Sequence, residues 1–468
     1  ERPSVAGDAF RQVMRHAGEV AGQPLSVNFA GDDPVYPSCI RAADAAAGAL
    51  GAASAMAQEV GADRGLPRQS VTVSTRAAAA SLLGFLHMRV GGNMVLPPSM
   101  ANPTIGIYRA GCGRYIHLHG GFPHLRDGIL RLLDCENDET SVADAVSKWD
   151  AVALEDALAY MNLCGAAVRT RTEWADHQQG QLLAAAPLVD LVRIGDAPAQ
   201  ELPPSPQRPL EKLRVLDLTR VLAGPTCGRT LASHGADVLR LGAAHLPTIE
   251  PFVMDTGHGK RFATLDFGIK EDAETLKDLA GKASIFVQGY RPGAFERHGL
   301  GPLHLAELRP GIIYVSVSCY GHDGPMSSRA GWEQLAQSAS GMARLHSDET
   351  VASGEDPTLF PAAATDYTTG YLAAFGALAA LRRQQREGGS WHVRVSLSRT
   401  AMWMMDLGAV DHRKAVPITE DDLGDMRDTR DTPFGEMQFL RPADMLSHTP
   451  PFWELPPSPM GSSNPAWR

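Results

Sequence analysis

Residues 361–400 read PAAATDYTTGYLAAFGALAALRRQQREGGSWHVRVSLSRT, and the interpretation of the whole chain depends on this stretch. A helix is predicted to begin near Thr368 and Thr369, which are capping residue types, and to carry an apolar stripe from Tyr371 to Leu381. Two glycines end it, and the letters WHVRVS then alternate apolar and polar side chains with the period of a strand. The stretch therefore predicts a helix that packs back onto a strand of a sheet.

Asp366 lies where the small-residue loop meets this predicted helix. The positive end of the helix dipole favours an ionised carboxylate at that place. Such an aspartate can cap the helix, bind a cation or attack a carbonyl carbon, and its position alone favours the cap. Its chemistry depends on what the rest of the chain places around it.

Strand and helix patterns alternate from Leu213 onward, beginning with the buried-strand letters LRVLDL. This alternation predicts an α/β fold with a parallel sheet wrapped by helices, a Rossmann-like large domain. Ligands of such sheets bind at the carboxyl ends of the strands. The loops TRVLAGP, QGYRPG and CYGHDGP fall at those ends, so we expect the functional site there.

Four blocks of sequence carry a resemblance to a known family. They read LRVLDLTRVLAGPTCGRTLASHGADVLRL (213–241), FVQGYRPGAFERHGLG (286–301), IIYVSVSCYGHDGPMSSRAGWEQLAQSASG (312–341) and the stretch quoted above. In this order, over about 200 residues, the set resembles the class III CoA transferases, the CaiB/BaiF family that includes formyl-CoA transferase and the α-methylacyl-CoA racemases.

The resemblance implies a reaction and a nucleophile. It places Asp366 on the aspartate that attacks the donor thioester, so CoA would pass from an acyl-CoA to a carboxylic acid through aspartyl anhydride and aspartyl-CoA intermediates. Acyl-CoA and small organic acids would be the substrates, with no permanently bound cofactor and no metal.

The resemblance also implies contacts to coenzyme A. It aligns Tyr290, Arg291 and Arg297 with a block that lies along CoA, and Tyr320 with a position near the thioester. Lys260 and Arg261 open another strand and, as a point charge and a guanidinium fork, suit CoA phosphates. For each basic residue an ordinary solvated charge is the alternative, and for Tyr320 a packed aromatic at a turn.

Three departures from the family pattern leave alternatives open. Leu222 replaces a glutamine of formyl-CoA transferase, which predicts a more apolar acyl pocket, and GAAHLP (242–247) replaces residues that contact CoA phosphates. Trp332 replaces the histidine that moves the α-proton in the racemases, although His322 is close in sequence. A racemase or isomerase with Asp366 as proton carrier, and a catalytically silent CoA-binding protein, are the rival functions.

Four parts are predicted along the chain. Residues 1–87 form a degenerate partial copy of the large domain, residues 88–205 a small α+β domain with a proline-rich linker, residues 206–412 the large domain with the nucleophile, and residues 413–468 a segment that returns across it. Two unrelated Ala-rich units are the alternative to an internal duplication.

The predicted copy matches AADAAAGALGAASAMAQEVGAD to the helix that follows Asp366, with Gly51 on Gly376 and one short gap before the next strand. That register sets Arg41 on Asp366, and a guanidinium is no nucleophile, so the copy is predicted to be catalytically silent. The family pairs intertwined subunits, which implies either a homodimer or a pseudo-dimeric monomer here.

Composition narrows the function classes further. A net charge of −10 argues against nucleic acid as the main partner, because phosphate binding needs a basic surface. Six scattered cysteines without a CxxC pair fit reduced thiols in a cytoplasmic protein, and two nearby histidines, His117 and His119, are too few for a metal site. No apolar run of about eighteen residues is present, which predicts no membrane span.

Overall fold

The structure is a computed structural model that describes residues 4–21, 25–97, 101–351 and 356–468. The first three predicted domain ranges each include a few residues outside these segments. Within the described ranges, no helix is both long enough and apolar enough to cross a membrane.

The first part of the chain forms helices beside a short parallel strand pair. Its longest helix is rich in alanine and almost wholly buried, since small side chains let neighbouring helices approach closely. The elements are α1 (Val5–Met14), β1 (Val27–Ala30), α2 (Ala42–Asp63), β2 (Val71–Ser74), α3 (Thr75–Ser81), α4 (Gly84–His87), β3 (Arg89–Val90) and β4 (Asn93–Met94).

The next part contains a three-stranded antiparallel sheet flanked by helices. Its hairpin and the following helix lie where the letters IGIYRAGCGRYIHLHGGFPHLRDGILRLL predict them. The elements are β5 (Ile105–Arg109), β6 (Tyr115–His119), α5 (Pro123–Leu133), α6 (Glu139–Val146), α7 (Ala151–Tyr160), β7 (Gly165–Ala167), α8 (Arg171–Asp176), α9 (Gln178–Ala185) and β8 (Asp190–Gly195).

A seven-stranded sheet organises the rest of the chain, as the alternating pattern predicts. Its strands are β9 (Arg214–Leu218), β10 (Asp237–Gly242), β11 (Lys260–Thr264), β12 (Ile285–Gln288), β13 (Ile313–Ser318) and β14 (Ser390–Ser396), in the order β11-β10-β9-β12-β13-β14-β8. All neighbours are parallel except β8, which pairs antiparallel with β14 although it lies within the predicted small domain. The sheet is therefore mixed, with one antiparallel edge strand, and the fold is α/β.

Helices cover both faces of this sheet. Most strand residues are fully buried, as expected when each face packs against helices. The helices are α10 (Ala223–Ser233), α11 (Glu250–Thr256), α12 (Lys270–Gly281), α13 (Pro302–Leu308), α14 (Glu333–Ser340), α15 (Met342–His346), α16 (Ala364–Glu387) and α17 (Leu397–Asp406).

Helix α16 begins earlier than the sequence predicts. Ala363 precedes its first residue, so Thr368 and Thr369 lie inside the helix and Asp366 lies in its first turn. The predicted end is confirmed, since Gly388 follows the last helical residue with φ +71°. Packing decides the start: the whole first turn is buried, and burial outweighs the capping preference of threonine.

The C-terminal part contains more regular structure than its weak periodicity predicts. It returns to the first part of the chain, because β16 pairs with β3 and β17 pairs with β2. The elements are α18 (Glu420–Met426), β15 (Arg427–Thr432), β16 (Gly435–Leu440) and β17 (Asp444–Leu446).

Two parts of the chain share one arrangement of elements. The long helices α2 and α16 pack against each other, and each is followed by a strand and a helix. Strand β2 pairs parallel with β1 and antiparallel with β17, as β14 pairs parallel with β13 and antiparallel with β8. The residues before the two long helices also have similar backbone angles, φ −83° and ψ 59° against φ −79° and ψ 55°.

This arrangement favours a register different from the one predicted for Arg41. Matching the first helical residues, Ala42 and Ala364, also matches the strands β2 and β14 without a gap. Arg41 then corresponds to Ala363, and Asp44 corresponds to Asp366. The predicted gap arises because alanine repeats match one another in several registers.

Candidate active site

A cavity of about 250 Å³ opens at the carboxyl ends of β9, β12 and β13. Its walls come from the loops after these strands, from the first turn of α16, and from the part of the chain that holds the small antiparallel sheet. The side chains that matter below are Phe122, Leu125, Cys164, Arg220, Val221, Tyr290, Arg291, Cys319, Trp332, Glu333, Asp366 and Leu397.

Asp366 is one of the carboxyl groups that line this cavity. It is 6% exposed, and its carboxylate accepts no hydrogen bond from any residue that the structure describes, so it does not act as the helix cap. Burial, and secondly the charge of Glu333, raises the pKa of Asp366 well above its usual range. The expectation that the helix dipole keeps this group ionised is therefore wrong, because loss of solvation outweighs the dipole.

Glu333 opens α14 and lines the same cavity. Its Oε1 accepts hydrogen bonds from Gln337 Nε2 at 2.8 Å, from the backbone N–H of Thr365 at 3.3 Å and from Thr365 Oγ1 at 3.1 Å. Burial raises the pKa of Glu333 to about 7. Burial is thus the main cause of the raised pKa of both carboxyl groups, and the charge of Glu333 adds to it only at Asp366.

An aromatic wall closes one side of the cavity. The ring of Trp332 stacks on His119, with centroids 4.3 Å apart and planes at 16°, and packs against Phe122 at 5.0 Å. His117 is buried, and its Nδ1 lies 2.8 Å from Ser338 Oγ. Both histidines therefore serve to pack the wall onto α14.

Two of the residues predicted to contact CoA do reach this cavity. Tyr290 and Arg291 follow β12 and line the wall. Arg291 also donates to Asn162 Oδ1 at 2.8 Å and to Asn162 O at 3.2 Å, which ties the loop after α7 to the mouth of the cavity. Burial raises the pKa of Tyr290 above its usual range.

Lys260 and Arg261 are not at the cavity, which revises their predicted role in phosphate binding. Lys260 is fully buried, and its Nζ donates to Asp217 Oδ2 at 2.8 Å and to Pro225 O at 2.6 Å. Arg261 pairs with Asp237 at 2.8 Å. Both residues open β11, and the first residues of a parallel strand lie at the edge opposite its carboxyl end.

Arg297 and Tyr320 do not line this cavity either. Arg297 lines a separate cavity of about 380 Å³ beside Lys277 and His298. Tyr320 is 1% exposed, and its hydroxyl has no hydrogen-bond partner among the described residues. Its neighbour Cys319 lines the main cavity instead.

Sequence reasoning missed Glu333, Arg220 and Cys164 as cavity residues. Glu333 lies among apolar and small residues in the letters GWEQLAQSAS. A charged residue on a helix face that is otherwise apolar could have identified it as a candidate site residue. Arg220 lies in the quoted strand-end loop TRVLAGP. Nothing in the sequence distinguishes Cys164, because the fold brings it to the cavity from a distant segment.

The chain is similar to known CoA transferases. The sequence profile described as CoA-transferase family III matches residues 210–433. The acetyl-coenzyme A transferase nodX of Hypoxylon pulicicidum is 32% identical over 321 residues, which cover 64% of this chain and 54% of that protein. Human succinyl-CoA:glutarate CoA-transferase is 33% identical over 185 residues, 37% of this chain and 41% of that one.

A solved structure of a CAIB/BAIF family protein from Brucella suis is 26% identical, covers 42% of this chain and 56% of that chain, and has a TM-score of 0.39. The chain spans about half the length of the curated relatives that match it over the longest stretches. The matched segment contains the seven-stranded sheet's six parallel strands and Asp366. In this segment, a little under half of its length, the chain is similar to the class III CoA transferases.

Proposed function

We propose that the protein transfers CoA from an acyl-CoA donor to a carboxylic acid, with Asp366 as the covalent nucleophile. One observation carries the proposal: a buried carboxyl group without a hydrogen-bond partner among the described residues borders a cavity at the carboxyl ends of a parallel sheet. A group that only tied off a turn would be engaged by neighbouring amides.

In the first half of the proposed reaction, the Asp366 carboxylate attacks the thioester carbonyl of the donor. The C–S bond breaks, CoA leaves as the thiolate, and the acyl group remains on Asp366 as a mixed anhydride. The thiolate then attacks the aspartyl carbonyl, which releases the donor acid and leaves aspartyl-CoA. The acceptor acid reverses both steps, so atoms and charges balance.

The environment of Asp366 suits this chemistry. Each intermediate is hydrolysable, and the apolar walls formed by Phe122, Leu125, Val221 and Leu397 keep water from the reacting carbon. A desolvated carboxylate is also more nucleophilic than a hydrated one, and Glu333 can take the proton that Asp366 must lose.

The substrates belong to the proposal as well. Relatives carry names such as succinyl-CoA:glutarate CoA-transferase, and on this analogy we assign an acyl-CoA donor and a small organic acid as acceptor. Tyr290 and Arg291 support a CoA chain that enters past β12. No permanently bound cofactor is required, and a cytoplasmic location is supported by six free thiols.

We also propose that the first part of the chain is a partial copy of the large domain. The shared order of helix, strand and helix, the shared strand pairing, and the correspondence of Asp44 to Asp366 support it. In this interpretation the packed helices α2 and α16 make one chain resemble a dimer with one complete site. A further homodimer remains compatible with this arrangement.

The proposal is tested by detecting the acyl group on Asp366. Incubation with a panel of acyl-CoAs, followed by hydroxylamine and peptide mass spectrometry, should convert Asp366 to its hydroxamate, because hydroxylamine traps activated carboxyl groups. Asp366→Asn should abolish both the adduct and turnover, with a loss of at least about 10³-fold for a removed nucleophile.

The control is Asp406→Asn, since Asp406 lies on the surface at the end of α17. This variant should keep both adduct and rate. An Asp366→Asn protein that still exchanges acids would refute the nucleophile. Deuterium uptake at the α-carbon without acid exchange would favour the racemase instead.

A further inference from the structure

The indole of Trp332 forms a wall of the cavity that the proposed reaction does not use. Trp332 directly precedes α14 and lines the cavity beside Glu333. Glu333 accepts hydrogen bonds from the backbone N–H and the hydroxyl of Thr365, the residue before Asp366. The indole therefore belongs to the part of the cavity that holds the proposed nucleophile.

Three neighbours fix the plane of this ring. His119 stacks on it with centroids 4.3 Å apart and planes at 16°, and Phe122 packs against it at 5.0 Å. A Cβ on Gly121 would lie 2.9 Å from both Cη2 and Cζ2 of the indole, so the edge of the ring already touches the backbone between these two residues. Since the space behind the ring is filled, the ring cannot move back when a ligand enters.

The backbone that carries the ring is also held in place. The O of Trp332 accepts from Cys319 Sγ at 3.6 Å, and a Cβ on Gly331 would lie 2.3 Å from the same sulfur. Cys319 follows β13 of the large sheet, whereas His119 lies on β6 of the small sheet. The indole is thus a fixed wall, supported from both sheets, of a preformed pocket.

The space in front of this wall is limited and largely apolar. Phe122, Leu125, Val221 and Leu397 line it, and its volume is about 250 Å³. At about 30 Å³ for each water-sized group, that is room for roughly eight such groups. The thioester and the end of the CoA arm would occupy part of the space, so the remainder suits an acyl group of about four carbons that ends against the indole.

We propose that Trp332 is a specificity-determining residue, the end wall that limits the length of the acyl group carried to Asp366. The inference rests on the proposed function and deepens it, because it assigns the residue that decides which acyl groups fit. One extra methylene group in a filled apolar pocket changes selectivity by roughly 10- to 200-fold. An acyl chain that reaches the indole should therefore be selected steeply over its longer homologues.

Binding to a protein that carries Asp366→Asn tests the wall without turnover. Titration calorimetry compares butanoyl-CoA with octanoyl-CoA, which have the same CoA part and differ only in the length of the acyl chain. Octanoyl-CoA should bind at least roughly tenfold more weakly. Adding Trp332→Ala removes the indole, so it should abolish or invert this difference and leave the affinity for free CoA unchanged.

Gly121→Ala should move the length limit in the opposite direction. The added methyl group meets the edge of the indole, and the ring can move only toward the open cavity, which shortens the pocket. This change should weaken butanoyl-CoA relative to acetyl-CoA by roughly tenfold. If Trp332→Ala does not fold, Gly121→Ala decides: a shift toward acetyl-CoA supports the wall, and an unchanged preference overturns it.

The matched control is Trp467→Ala. Trp467 lies outside the cavity, where its Nε1 donates to Leu279 O at 3.1 Å and Arg214 lies over its ring. This variant should keep the original length limit. Equal affinities for butanoyl-CoA and octanoyl-CoA with Trp332 intact would overturn the wall. So would a Trp332→Ala change that weakens both ligands equally, since the ring would then only support the fold.

Failure of the wall and failure of the proposed function give different results. A wild-type protein that exchanges no acids would refute CoA transfer, and the affinities measured with Asp366→Asn would still decide the length limit. A wild-type protein that exchanges acids with equal kcat/KM for the two acyl-CoAs would refute the wall, and CoA transfer would stand.

Discussion

At the scale of single residues, burial and charge determine the protonation of the two carboxyl groups in the site. Asp366 and Glu333 share a water-poor cavity, and burial is the largest cause of the raised pKa in both. A protonated carboxyl group is a poor nucleophile, so the proposed reaction needs the fraction of molecules in which Asp366 is ionised. The neighbouring charge of Glu333 opposes that ionisation, and its proton affinity therefore sets part of the pH dependence.

Replacing Glu333 by glutamine should shift the pH profile of kcat/KM. The charge that raises the pKa of Asp366 disappears, so Asp366 ionises at lower pH and the acidic limb should move down by about one unit. Rates measured from pH 5 to pH 9 with one acyl-CoA check this. Glu387→Gln, at the exposed far end of α16, should leave the profile in place. An acidic limb that stays or moves upward in Glu333→Gln would contradict the coupling.

Sequence reasoning reaches some of these residues and not others. It selects Asp366 because four ordered blocks resemble one family, whereas local propensity alone favours a cap. The raised pKa of Asp366 is not predictable from sequence, since burial depends on chain segments that are hundreds of residues apart. The prediction that Lys260 and Arg261 bind CoA phosphates is not supported. The sequence shows that both residues begin a strand, but it does not show at which edge of the sheet that beginning lies.

At the scale of elements, helix α16 sets the position of Asp366, the proposed nucleophile. Gly370 lets it approach α10, because a Cβ there would lie 2.5 Å from the backbone oxygen of Ala223 and 2.6 Å from Thr226 Cβ. The close approach holds the first turn, with Asp366, at the edge of the cavity. The alternating sequence predicts the strands and their neighbours well, but the helix start depends on this packing.

Gly370→Ala should therefore damage both stability and catalysis. The added methyl group meets backbone that cannot give way, which costs about 1–3 kcal/mol of the free energy of unfolding, and the displaced first turn should lower kcat by roughly tenfold or more. Urea unfolding and steady-state kinetics measure the two effects.

Gly424→Ala is the matched control, because Gly424 lies in α18 and a methyl group added to its Cα would meet no described atom within 4 Å. It should gain up to about 1 kcal/mol from helix propensity and keep kcat. A Gly370→Ala protein as stable and active as the wild type would show that the approach of α16 to α10 does not position Asp366.

At the scale of the whole molecule, the two similar parts are unequal. In the proposed partial copy Asp44 corresponds to Asp366, yet it is fully buried and its Oδ2 accepts from Arg41 Nη1 at 3.1 Å. Its backbone N–H donates to Asp33 Oδ2 at 2.9 Å, and the N–H of Asp33 donates to Asp44 Oδ1 at 3.4 Å. The sequence also suggests a silent copy, but for a different reason, because it aligns Arg41 with Asp366. The repeated alanines leave the register of that alignment undetermined.

The number of acyl groups per chain tests this inequality. Because Asp44 is held by Arg41 and Asp33 and has no exposed surface, intact mass spectrometry after brief incubation with acyl-CoA should find one acyl or CoA adduct per chain. Asp44→Asn keeps the size of the side chain and should leave that adduct and the rate unchanged, whereas Asp366→Asn should give none. Two adducts per chain, or an adduct on Asp44, would mean that both parts react, and the proposed dimer-like chain would then have two working sites.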